Sequence, residues 1–332
     1  MPQTARGPSA GWVLTMGDFL QSLLSQLAQT LIVVVVAPLM LGWVNQWRCW
    51  LQNRSGPGLL QPYRMLSKLF FKDAVLAKTA SPIFRMSPYV QFGCMVLAAS
   101  IVPVMQTNLA FSPAADVIAL VGVFALARVF SSLAAMDIGT SFGSMGARRE
   151  MLIASLSEPA LLMVFFTPLL IAQSSSLNTI VATLAHRDFA LYPSLAFAAV
   201  AFIMVLLAEN ARIPIDNPAT HLELTMIHEA LILEYSARHL ALIEWATAIK
   251  LTTYCALGIA LFMPWGMAAS NEWQLLPSAL AVFVVKLAVA GAGLAVLETV
   301  SAKMRIFRAP EFLGMAFLLA VLGMLIKLLL GA

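Results

Sequence analysis

The sequence predicts an all-α integral membrane protein of about eight transmembrane helices, with long cytoplasmic connections one and five. Three observations carry this reading. Hydrophobic residues make up 61% of the 332 positions and charged residues 11%, against about 25% charged in a soluble domain. The apolar residues gather in runs close to the ~20 that a bilayer-spanning helix requires. Basic residues gather between alternate runs. So few charges cannot cover a water-soluble surface, and the mean hydropathy of +0.87 means that lipid covers much of it. The chain, 1–332, reads as a single polytopic domain.

Eight runs are long enough to span: 20–43, 90–107, 117–135, 151–172, 191–208, 241–263, 275–297 and 312–330. Backbone groups in lipid must be satisfied within each segment, so each run is expected to be a helix. The tail 1–19 is polar, and no cleavable signal peptide is expected. Connection one (44–89) holds Arg48, Arg54, Arg64, Lys68, Lys72, Lys78 and Arg85. Connection three adds Arg148 and Arg149, five adds Arg212 and Arg238, and seven adds Lys303, Arg305 and Arg308. Together these are fourteen of the 20 basic residues. The opposite side carries Arg6 and Arg187, and Arg128, Lys250, Lys286 and Lys327 fall within apolar runs. The positive-inside rule puts the odd connections in the cytoplasm and both termini outside. The net charge of +4 suits membrane sidedness and gives no sign of nucleic-acid binding.

Within connection one, residues 63–77 are amphipathic. Met65, Leu66, Leu69 and Phe70 alternate with Arg64, Lys68 and Lys72, a pattern suited to lying in the interface plane. Connection five (209–240) and its border are dense in ionisable groups. Six of the 16 acids (Glu209, Asp216, Glu223, Glu229, Glu234 and Glu244) stand there with His221, His228 and His239. Pro214 and Pro218 break the helix ahead of them. Either this is a solvated loop or it is a partly buried acidic funnel. Leu222, Leu224, Met226, Ile227, Leu231, Ile232 and Leu233 interleave with the acids, which a solvated loop does not need. In a funnel, close carboxylates in low dielectric would take up and release protons near neutral pH.

Arg128 and Glu158 form a second constellation, open to two readings: a structural ion pair or a step in a proton path. Lys250 and Lys286 are further intramembrane candidates, and Lys327 near the chain end is expected to snorkel. Cys49, Cys94 and Cys255 are far apart with no CxxC pair, so they read as apolar packing residues. HExxH is absent, and so are the P-loop, GxGxxG and G-x-S-x-G patterns. No metal site and no catalytic engine of this chain's own are expected.

Four ordered stretches resemble the membrane subunit of energy-converting (group 4) NiFe hydrogenases and formate hydrogenlyase. More distantly they resemble the quinone-chamber membrane subunit, subunit 1, of respiratory complex I. The stretches are NRSGPGLLQPYRMLSKLFFKD, MDIGTSFGSMGARREMLIASLSEPALL, IPIDNPATHLELTMIHEALILEYS and LETVSAKMRIFRAPEFLG. The resemblance spans nearly the whole chain after the first helix. It implies a non-catalytic subunit of the bacterial cytoplasmic membrane that couples electron transfer to proton or sodium movement. Its implied partners are peripheral hydrogenase-like large and small subunits, an iron–sulfur protein and antiporter-like membrane subunits.

Site residues follow from the same resemblance. Glu158, Glu209, Asp216, Glu223 and Glu234 match its acids, with Arg212 beside them. Glu244 matches an acid of the complex I form, whereas the formate hydrogenlyase form usually has Lys near there. Lys250, Lys286, Arg128, His221 and Glu229 complete the expected proton path. Arg54, Arg64, Lys68, Lys72, Arg148, Arg149 and Arg212 fall where peripheral subunits dock. The sequence departs from the pattern after Asp216: Ala219 and His221 replace two acids, and the interval to Glu234 is about three residues longer. His221 or Glu229 is therefore expected to substitute. The NiFe and iron–sulfur centres belong to partner chains, since the Cys ligands they need are missing here. A quinone is the one cofactor the resemblance leaves open. The rival readings are a quinone-binding subunit of a complex I-like oxidoreductase and a stand-alone ion transporter.

Overall fold

The computed structural model describes residues 16–77, 79–107, 109–111, 115–185, 193–216, 227–268, 275–302, 304 and 308–330. Among these the chain forms eleven α-helices and no strand. In chain order they are α1 (Met16–Leu51), α2 (Gln61–Phe70), α3 (Pro82–Ile101), α4 (Val117–Asp137), α5 (Ser141–Ala172), α6 (Leu177–Ala185), α7 (Pro193–Glu209), α8 (His228–Ile232), α9 (Ala237–Phe262), α10 (Leu276–Val300) and α11 (Ala309–Leu330). Helices α1, α4, α5, α9, α10 and α11 are long and apolar enough to cross a membrane. The other two apolar runs are occupied by α3, of 20 residues, and α7, of 17.

Helix α9 is the axis of the bundle. In its most apolar stretch 72% of residues are buried, against 28% in α10 and 22% in α11. Around it, α3 packs on α4 and α9, α1 on α9 and α10, and α11 on α5 and α7. Tyr254 of α9 is fully buried, its ring stacked on Phe124 of α4 at 4.7 Å between centroids. Two indole N–H groups find backbone partners across the bundle. Trp43 donates to the Ala288 carbonyl at 2.9 Å and Trp245 to the Val34 carbonyl at 3.0 Å.

The odd connections meet at one end of the bundle. Ser236, before α9, donates to the Val75 carbonyl at 2.6 Å. The Ser81 amide, before α3, donates to Asp137 at the end of α4 at 2.9 Å. The Met304 amide donates to the Pro214 carbonyl at 3.1 Å. At the other end the Ala268 amide reaches the Met105 carbonyl, and the Leu177 amide the Ala115 carbonyl, both at 2.9 Å.

Helix boundaries differ from the apolar runs. Helix α1 continues to Leu51 and α5 begins at Ser141. Hydropathy marks the lipid, whereas helices stop at capping and breaking residues. Asn53 has φ 54°, ending α1, and the Thr140 hydroxyl caps α5 by accepting from the Gly143 amide at 3.4 Å. At 1.5 Å per residue the 36 residues of α1 extend about 54 Å, well beyond the ~30 Å hydrocarbon core. The chain then folds back. Leu59 sits so close to Gly42 that a Cβ there would lie 2.3 Å from its carbonyl oxygen. The amphipathic stretch is helical over Gln61–Phe70, burying Pro62 and Leu66 and leaving Arg64, Lys68, Phe70 and Phe71 exposed. Helix α6 lies where the apolar pattern gave only a loop.

Candidate functional site

Helix α7 ends in a Schellman motif. The Arg212 amide donates to the Leu207 carbonyl at 2.9 Å and the Ala211 amide to the Ala208 carbonyl at 3.2 Å, with Ala211 at φ 48°. This is the closing pattern of a helix whose C′ residue is left-handed. It leaves Glu209, the last helical residue, facing inward with its side chain 1% exposed.

Glu209 is the centre of a buried ionisable cluster. The Arg128 guanidinium of α4 donates to its Oε2. Ser157 of α5 donates to Oε1 at 2.5 Å. Lys250 of α9 lies 3.2 Å from Oε2 and donates to the Glu209 carbonyl at 2.6 Å. Arg128 also donates to Glu158 at 2.7 Å, and its Nε lies 3.5 Å from Glu150. Spacing explains the convergence. Glu150 and Ser157 are seven residues apart, two helical turns, and so share a face of α5 with Glu158 beside them. Two cations therefore face three carboxylates, of which Glu209 is enclosed while the Glu150 and Glu158 side chains are 20% and 35% exposed. Such burial is costly unless the groups pair, and they do pair. With both cations charged the five groups carry one excess negative charge, so one added proton makes the cluster neutral.

Helix α9 supplies a polar ladder leading to this cluster. Glu244, Thr247, Lys250 and Tyr254 recur at spacings of three and four and lie on one face. They descend about 15 Å at 1.5 Å per residue. A cavity of about 60 Å³ borders the cluster, between Arg128, Glu150, Thr247 and Lys250. A second, of about 280 Å³, opens beside Arg48, Arg212, Glu229, Glu244 and Glu298. In it Glu298 of α10 sits 3.1 Å from Arg212 and 3.6 Å from Arg48.

Buried Asp216 accepts from the amides of Ile227 at 3.2 Å and His228 at 3.0 Å, so this carboxylate positions α8. Ile227, Leu231 and Ile232 are buried, whereas Leu233 is 47% exposed. Tyr235 stacks on Phe84 at 4.0 Å and donates to its carbonyl at 3.0 Å. Burial holds its phenol well above the usual range, so it remains a donor.

Among the expected path residues, the structure brings Arg128, Glu158, Glu209 and Lys250 together, with Glu229, Glu244 and Asp216 around the larger cavity. Glu234 is exposed. Lys286 lies elsewhere: it donates to the Met263 carbonyl at 2.6 Å and to the Trp265 carbonyl, 4.7 Å from the Trp265 ring. There it caps the far end of α9. His221 and Glu223 fall outside the described residues. Of the expected docking residues, Arg54, Arg64, Lys68, Lys72 and Arg148 are exposed and Arg149 is half-buried. Arg212 stands apart from them, turned in against Glu298. Sequence reasoning missed Glu150, Ser157 and Glu298. The Glu150–Ser157 spacing and the LETV stretch were the available signals. Among the described residues no group of three His, Cys, Asp or Glu is placed to hold a metal ion.

The NADH dehydrogenase family model matches residues 25–329. The chain is 31% identical over 301 residues to formate hydrogenlyase subunit 4 of Escherichia coli K12, covering 90% of this chain and 97% of that one. It is 32% identical over 298 residues to hydrogenase-4 component C of the same organism, covering 90% and 93%. A chain of the membrane-bound sulfane sulfur reductase, an archaeal respiratory membrane complex, shares the fold with TM-score 0.79 at 18% identity, covering 93% of this chain and 99% of that one. The chain therefore belongs to the NADH dehydrogenase family of membrane subunits.

Proposed function

We propose that this protein is the membrane-anchor and proton-coupling subunit of a redox-driven complex of the formate hydrogenlyase and group 4 hydrogenase type. The observation that carries the reading is the cluster of Arg128, Glu150, Glu158 and Lys250 around buried Glu209, reached from the connection-five end by the α9 ladder. Its one excess charge suits it to load and release a proton. Near-full-length likeness to formate hydrogenlyase subunit 4 and hydrogenase-4 component C supports the choice of complex.

In this reading α3 and α7 also cross the bilayer, giving eight spans in a bacterial inner membrane, with both termini outside. The exposed Arg54, Arg64, Lys68, Lys72 and Arg148 dock acidic surfaces of peripheral large and small hydrogenase-like subunits and an iron–sulfur protein. Antiporter-like membrane subunits take up the translocated charge. NiFe and iron–sulfur centres reside in those partners. Protons pass from the region of Asp216, Glu223, Glu229, Glu234 and His221, past Glu244, to Glu209 and Glu158. A quinone-binding role is the second reading. The charged lining of the larger cavity favours water and protons over a quinone, whose sites are mostly apolar.

The test is mild-detergent purification of the tagged chain from its native membrane, with mass spectrometry and metal analysis. The proposal expects iron and a large hydrogenase-like subunit to accompany it. A chain emerging alone, folded and metal-free overturns it in favour of a stand-alone transporter.

A further inference from the structure

The two polar cavities share two lining residues, His228 and Thr247. His228 Nε2 and Thr247 Oγ1 are 3.4 Å apart. Thr247 donates its hydroxyl hydrogen to the Ile243 carbonyl at 3.0 Å, so towards His228 it is an acceptor. The imidazole is then the donor through Nε2, and neutral His228 keeps its Nδ1 lone pair available. The backbone that carries the ring is held in place. The His228 amide is fixed by Asp216, and Ala230 packs on Gly146 of α5, where a Cβ would lie 2.9 Å from the Ala230 Cβ.

The two sides differ in charge. The larger cavity presents Asp216, Glu229, Glu244 and Glu298 against Arg48 and Arg212. The smaller presents Arg128 and Lys250 against Glu150. The smaller cavity's 60 Å³ has room for about four waters at ~15 Å³ each.

We propose that His228 is the proton-carrying junction between the outer cavity and the inner cluster, with Thr247 fixing its ring. A carboxylic acid of the outer cavity, Glu229 or Glu244, gives its proton to Nδ1, leaving a carboxylate and an imidazolium. Nε2 then releases its proton through water to the Glu150 carboxylate, leaving the Nδ1–H tautomer, and proton exchange with outer-cavity water at both ring nitrogens restores the Nε2–H form. Only N–H and O–H bonds change. The inference rests on the proton-coupling reading above.

The intact complex, purified and reconstituted in liposomes, tests it with reduced methyl viologen as electron source and a pH dye as readout. His228→Ala is expected to lower proton translocation by about 10²-fold, and added imidazole to restore it. His228→Gln, which keeps a donor for Thr247, is expected to be as defective and not to respond to imidazole. A His228→Gln complex that translocates at the wild-type proton-to-electron ratio overturns the junction. So does a His228→Ala defect that imidazole leaves unchanged. Glu158→Gln, run alongside, separates the two levels. If it also pumps normally, the coupling reading itself fails; if it alone is defective, only the junction fails.

Discussion

Arg128 holds more of the site together than any other side chain, touching Glu150, Glu158 and Glu209. Replacing it leaves Glu209 buried beside Lys250 with one cation fewer. Arg128→Gln is expected to destabilise the subunit by about 3–5 kcal/mol, seen as lost assembly or a lowered melting temperature in detergent. Arg128→Lys is expected to keep the charge but lose contacts, because an ammonium lacks the planar fork that reaches several carboxylates at once. Assembly equal to wild type in Arg128→Gln would contradict the pairing. Arg128 and Glu158 were legible in the sequence because charge within an apolar run is rare and informative. Glu209 was legible by resemblance. Their convergence was not, since no single-chain pattern reports which helices pack. Asp216 shows the same limit: the acid was visible, but its hold on the Ile227 and His228 amides depends on where the chain returns eleven and twelve residues later.

At the scale of the element, two backbone features make direct predictions. Ala211 occupies a left-handed position, φ 48°, where glycine is the usual residue. A left-handed L-residue costs about 1–2 kcal/mol. Ala211→Gly is therefore expected to raise stability by about 1 kcal/mol without changing Glu209, read as a higher melting temperature. Gly42 is the opposite case. A Cβ at 2.3 Å from the Leu59 carbonyl oxygen forces α1 and the following loop apart. Gly42→Ala is expected to cost about 1–3 kcal/mol and to loosen connection one, measured as faster proteolysis there. The apolar runs located the helices in lipid, because burial in lipid requires them. They missed the helical extensions of α1 and α5 and the short α6, because those ends answer to caps, Gly and Asn rather than to hydropathy.

For the whole molecule, one end gathers the odd connections and the exposed basic residues, while the ionisable cluster lies inside. Reversing Lys68 and Lys72 to Glu is expected to weaken attachment of the peripheral subunits and to make it more salt-sensitive, without altering the fold of the membrane chain. Co-purification at graded salt checks this. The gathering of the odd connections agrees with the basic-residue count, which needs no knowledge of packing. The inward turn of Arg212 onto Glu298 needed the structure, because a basic residue in a connection between apolar runs reads as exposed until its neighbours are known.

The most direct test of proton coupling is the proton-to-electron ratio of the reconstituted complex carrying Glu158→Gln. The amide keeps an acceptor for Arg128 but cannot titrate. The account predicts intact assembly and electron transfer with translocation close to zero. A ratio equal to wild type would contradict it.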